Sequence, residues 1–160
     1  MTSEKEIYIP PSGPPKTKLP SPEIYKGMGK TGIYEMIADF YRLLARSEIR
    51  SMFPDDETAL IQASEKSAAF FVQICGGPPI YNEQHGAPRL RARHLQFDIG
   101  PHEKKVWLKC FMRILDTAPE KYGFPETHLD GFREWLTAFA GWMVNKMPAT
   151  DIHTSDSPLG

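Results

Sequence analysis

The amino-acid sequence predicts an all-helical fold, and three observations carry that expectation. Apolar residues recur at helical spacing in four separate stretches, no stretch of useful length alternates apolar with polar residues as a strand does, and no internal repeat is present. At 160 residues the chain is one domain's worth, long enough to bury a core and still enclose a cofactor.

Residues 1–22 carry Pro10, Pro11, Pro14, Pro15, Pro20 and Pro22 among serine, glycine and lysine, a composition that cannot bury a core and predicts an extended, mobile arm. The folded domain is expected over 23–147, followed by a polar, flexible tail over 148–160. Ile33, Ile37, Phe40, Tyr41 and Leu44 place a first helix from about Gly32 to Arg46. A second starts near Asp55-Asp56-Glu57, acidic residues suited to a helix N-terminus. It presents Leu60, Ala63, Ser67, Phe70, Phe71 and Ile74 on one side and stops at Gly76-Gly77. The third opens near Pro101 with Val106, Trp107, Cys110, Phe111 and Ile114, and ends before Pro119. The last begins after Pro125 with Glu126 in its first turn. It carries Phe132, Trp135, Leu136, Phe139, Ala140 and Met143 and ends before Pro148.

Everything between Gly76 and Pro101 reads as loop, apart from one helical turn ending at His94. An irregular stretch of that length inside one domain calls for a functional reason. A bound cofactor that replaces protein core there supplies one.

Bulk properties narrow the function classes. The formal net charge of -1 gives no electrostatic case for a nucleic-acid or anionic-membrane partner. No apolar run approaches the ~20 residues that span a bilayer, and Met1-Thr2-Ser3-Glu4-Lys5-Glu6 lacks the pattern of a signal peptide. These features predict a cytoplasmic protein. Cys75 and Cys110 lie inside apolar helical patterns and read as small buried hydrophobes, with a disulfide between them left to geometry.

The chemistry-bearing stretch is Pro88-Arg89-Leu90-Arg91-Ala92-Arg93-His94. A histidine held on a short segment against apolar helices can ligate a metal from one side, and arginines beside it can pair with carboxylates at the rim of the same cavity. Taken alone, His94 also reads as a solvated surface residue and the arginines as a solvated patch. No Cys/His cluster suits zinc, no glycine-rich loop precedes a lysine for phosphate, and no Ser/His/Asp signature is present. The aromatics Phe40-Tyr41, Phe53 and Trp107 read first as core packing. Tyr41 and Trp107 each add a donor that needs a partner when buried.

The ordered set Phe40-Tyr41, Phe53-Pro54, Gly76-Gly77-Pro78, Tyr81, Pro88 through His94 and Val106-Trp107-Leu108 closely resembles the group II truncated haemoglobins, over residues 25–147. The resemblance implies a two-over-two helical sandwich (the truncated globin fold) around haem b, with His94 as the proximal iron ligand. It implies that Arg91 holds the haem propionates, with Tyr81 and Arg93 as further candidates; at least one of Arg89, Arg91 and Arg93 then faces water. Phe53 is implied on the porphyrin face, with Phe71, Ile74, Leu90, Phe97 and Trp135 as apolar wall. Tyr41 and Trp107 are implied beside the exogenous ligand, where their donors meet a ligand that gains negative character.

Two positions depart from common patterns. Ala63 stands where many globins carry a distal histidine, as in much of group II, and leaves an open entry path. Ser67 stands where an apolar residue is commoner; its hydroxyl either joins the distal network or bonds back to its own helix, the second being slightly favoured. The function implied is binding of O₂, NO and related diatomics with slow release, and redox chemistry on them such as NO or peroxide detoxification. Such turnover (as an NO dioxygenase or a peroxidase-like activity) requires a separate reductase. The alternatives are a ligand sensor or storage protein without catalysis, and a helical interaction module with no cofactor. The chain is expected as a monomer or homodimer.

Overall fold

Glycine at position 29 divides the first helix. Its φ of 68° and ψ of 178° interrupt α1 (Glu23–Leu44), a conformation that glycine adopts without steric cost. Helical structure therefore begins nine residues before the expected Gly32, because Ile24 and Met28 continue the buried apolar face upstream of the break. A short 3₁₀ corner, Arg50–Met52, leads into α2 (Glu57–Ile74), where the Asp56 carboxylate accepts from the Ala59 N–H at 2.9 Å. Gly77 follows α2 where a Cβ would stand 2.7 Å from both Tyr25 and Val72, so the glycine pair does more than stop a helix: it lets α1 pack close.

The computed structural model describes residues 6–147, and the tail expected over 148–160 lies outside the described residues. The loop expected between Gly76 and Pro101 holds two short helices, α3 (Ile80–His85) and α4 (Leu90–Arg93). The second is the single turn expected before His94. The first is held from outside, by the Gln73 and Asn82 side chains and a bond from the Asn82 N–H to Gln73, both 3.0 Å. Then come α5 (Pro101–Leu115), α6 (Ala118–Tyr122) and, after a 3₁₀ turn at Glu126–His128, α7 (Leu129–Met143).

The fold is all-helical, as expected, and among the described residues there is no strand. One layer pairs α1 with α2 and the other pairs α5 with α7, while α1 also meets α5. Aromatic rings fill the space between them. Phe40 of α1 lies 4.2 Å from Phe111 of α5, centroid to centroid, and Phe71 of α2 stands edge-on to Trp135 of α7 at 6.4 Å. Both cysteines are free; Cys75 is buried and burial pushes its thiol up to about 12.

Where composition predicts a mobile arm over 1–22, residues 6–22 run back along the domain. The Tyr8 N–H donates to the Asn145 carbonyl at 2.9 Å, and residues Pro10–Lys16 face α7 across a groove of about 500 Å³. Proline fixes its own φ, so laying such a segment down loses little backbone entropy.

Candidate functional site

The site begins with one turn of helix. Arg89 starts α4 from a left-handed conformation (φ 38°), and the chain leaves the turn at His94, whose backbone N–H donates to the Leu90 carbonyl at 3.1 Å. The His94 ring reaches the same carbonyl: Nδ1 lies 2.7 Å from Leu90 O. A carbonyl oxygen only accepts, so Nδ1 carries the proton and Nε2 keeps its lone pair. Burial pushes the His94 pKa below its ordinary 6.5, the Leu90 bond partly opposes this, and the Lys66 charge adds to it. The ring is neutral at pH 7, with a nitrogen ready to ligate.

Behind His94, residues 94–99 form no helix, and three of their backbone groups are taken up by the side chain of Asn145, which is wholly buried. Its Nδ2 donates to Phe97 O at 3.0 Å and His94 O at 3.4 Å, and its Oδ1 accepts from the Ile99 N–H at 3.0 Å. Nothing in the sequence marks this residue. An asparagine one position past the last apolar turn reads as a helix stop, and its partners lie 46 to 51 residues away.

The second group of candidates clusters around Phe40. Tyr41 stands 5.9 Å from it and Trp107 5.4 Å, both edge-on, while Phe53 meets Tyr41 at 5.6 Å. Burial pushes the Tyr41 phenol above its usual 10, against a hydrogen bond from the Ser67 side chain that pulls it down. Ser67 lies within reach of Tyr41 where α1 and α2 pack together, so its hydroxyl has an alternative to a bond back to its own helix. The indole N–H of Trp107 has no protein acceptor among the described residues. The only side-chain polar atom there that is both buried and unpartnered is Thr17 Oγ1, so the indole donor retains access to solvent or ligand.

The wall candidates divide. Phe71 and Trp135 are buried, Ala63, Ile74, Leu90 and Phe97 are half-buried, and Phe97 lies 6.1 Å from the His94 ring. Leu90, Tyr41, Phe53 and Trp107 all pack against one apolar body. Tyr81 is 2% exposed and stands edge-on to Phe70, which makes it a core residue.

The arginines are engaged elsewhere. Arg91 donates to the carbonyls of Trp142, Val144 (2.8 Å) and Tyr8 (2.7 Å), and its guanidinium lies 4.6 Å over the Trp142 ring. Arg93 donates to His85 O at 2.7 Å and Ala87 O at 2.9 Å and sits 5.6 Å over Tyr81, while Arg89 is exposed. Sequence reasoning placed these cations beside His94 but could not foresee that α7 and the arm bring carbonyls to them.

Among the described residues no three His, Cys, Asp or Glu side chains converge to hold a bare metal ion. A single neutral imidazole suits a metal whose remaining ligands come from a macrocycle. His94 with its lone pair, apolar side chains around it, and the Tyr41 and Trp107 donors fit haem. The arginines fit its carboxylates less well, being committed to backbone.

Comparison with known proteins points the same way. A family model described as "Bacterial-like globin" matches residues 23–145. The group 2 truncated hemoglobin YjbI of Bacillus subtilis (strain 168) is 36% identical over 93 residues, 58% of this chain and 68% of that protein. The crystal structure of phosphate-bound Hell's gate globin IV aligns with a TM-score of 0.78 at 30% identity, covering 84% of this chain and 81% of that one. A truncated oxygen-avid haemoglobin from Bacillus subtilis aligns with a TM-score of 0.68 at 32% identity, covering 78% of this chain and 99% of that one.

Proposed function

The chain belongs to the bacterial-like globin family, among its group II truncated haemoglobins, and from that premise we propose that it binds O₂ and related diatomics on haem b held by His94, releases them slowly, and turns over NO or peroxide with electrons from a separate reductase. When bound, haem supplies an iron centre that takes a diatomic ligand and exchanges electrons. Everything else falls to the chain's own side chains. The observation that carries the reading is the 2.7 Å approach of His94 Nδ1 to Leu90 O, which fixes the tautomer and the ring plane and leaves Nε2 to ligate.

Tyr41 and Trp107 supply the two donors. Burial raises the Tyr41 pKa, so the phenol stays protonated at neutral pH and has an O–H to donate. A Ser67 hydroxyl that donates into the phenol oxygen leaves the Tyr41 O–H free for a ligand. A hydrogen bond to a charged acceptor is worth about 1.5–3 kcal/mol, or roughly ten- to a hundredfold in retention. Two such donors favour slow release, in keeping with the oxygen-avid description of the Bacillus subtilis relative. Half-buried Ala63 offers little bulk on α2, which suits an open path for small ligands.

Haem titration of the purified protein, followed in the Soret region and then by NO consumption with a reductant, tests the proposal. One equivalent bound with catalytic NO loss supports it. Binding with slow O₂ release but no turnover assigns storage or sensing instead, and the lack of a Soret band rejects the haem reading.

A further inference from the structure

We infer that Asn145 is the positioning residue for the His94 segment, an inference that rests on the reading of His94 as the iron ligand. Residues 94–99 belong to no helix and are ordered locally by turn bonds such as Leu95 N–H to Ala92 O and Phe97 N–H to His94 O. The Asn145 side chain holds them from across the fold: its amide nitrogen holds the carbonyls of Phe97 and His94, and its oxygen holds the N–H of Ile99. The Asn145 backbone N–H closes a second bond, to Ile99 O at 2.8 Å. The imidazole is also set by the short α4, by the His94 N–H bonds to the Leu90 and Arg91 carbonyls and by its own ring-to-carbonyl bond, all of them local contacts on the α4 side.

The same residue reaches the arm through its carbonyl, which accepts from Tyr8, while Arg91 binds the Tyr8 carbonyl from α4. The end of α7, the arm and the proximal segment thus meet at one buried amide. Only asparagine or a close analogue serves there. Aspartate has the same shape but turns both donors into acceptors facing carbonyl oxygens.

The test is resonance Raman of the ferrous, ligand-free haem protein, read at the iron–histidine stretch, together with haem transfer to an acceptor apoglobin. Asn145→Asp should shift or broaden the stretch and speed haem transfer about ten-fold. Tyr122→Phe, which removes the bond to Asp39 between α6 and α1, should lower thermal stability while leaving both readouts at parent values. A folded, haem-loaded Asn145→Asp protein with parent stretch and parent transfer rate overturns the inference.

Should that variant not fold, Asn145→Ser, smaller and uncharged, still removes the amide donors to Phe97 and His94; it should move the same band, and parent values there overturn the inference equally. A parent-like stretch in His94→Ala removes the ligand assignment itself, a failure distinct from that of Asn145.

Discussion

Ser67 on α2 lies beside Tyr41 on α1, close enough that its side chain lowers the phenol's pKa against the rise that burial causes. A hydroxyl beside the phenol biases the Tyr41 O–H rotor, so the two residues should act as a pair on ligand release. Tyr41→Phe removes the donor and should speed O₂ dissociation roughly ten- to a hundredfold. Ser67→Ala leaves the donor but frees its rotor, and should speed dissociation only a few-fold, about one weak hydrogen bond's worth. Stopped-flow displacement of O₂ checks both; equal effects of the two changes contradict the ordering.

Trp107 is the second donor and shares Phe40 with Tyr41 as a neighbour. Trp107→Phe keeps an aromatic ring against Phe40 and Phe111 but removes the N–H. O₂ release should rise roughly tenfold with little change in helical content by circular dichroism. Unchanged rates in both Tyr41→Phe and Trp107→Phe remove the two-donor account.

Alkaline pH tests the phenols. Burial lifts Tyr41 above 10, with Ser67 opposing; burial and then the bond and charge of Asp39 lift Tyr122 as well. The folded chain therefore keeps these protons to higher pH than the unfolded chain does. Their stabilising contribution is complete below pH 10 and is lost as pH rises from there through the folded values. O₂ release should stay flat from neutral pH to about 10, as the donor persists. Urea melts should show stability falling above that point, and Tyr122→Phe should blunt the fall.

Arg91 serves three carbonyls and an aromatic face at once, which a lysine's point charge cannot do. Arg91→Lys should destabilise haem-free and haem-loaded protein alike, by about 1–3 kcal/mol in denaturant melts. Loss of haem retention with unchanged haem-free stability assigns the guanidinium to the propionates instead.

Much of this was legible in the residues, and the remainder follows a pattern. The α2, α5 and α7 helices are long enough for their apolar period to be read directly, and His94 stands out through its motif. α3 escapes because six residues carry no period and its anchor is the Gln73–Asn82 pair. α6 escapes because Pro119 reads equally as the stop of one helix and the first turn of another. Asn145, Arg91 and the arm escape for a different reason: their roles exist only once segments 46 to 83 residues apart are brought together. Local periodicity predicts the helices and the family resemblance implies a role for His94, whereas the frame around that residue is tertiary.

The account stands on His94, and its removal is the most direct measurement. His94→Ala, reconstituted with haem b and examined by absorption and by resonance Raman in the ferrous state, should lose the iron–histidine stretch and release haem readily, while added imidazole restores a five-coordinate spectrum. A His94→Ala protein that holds haem with the parent's proximal band contradicts it.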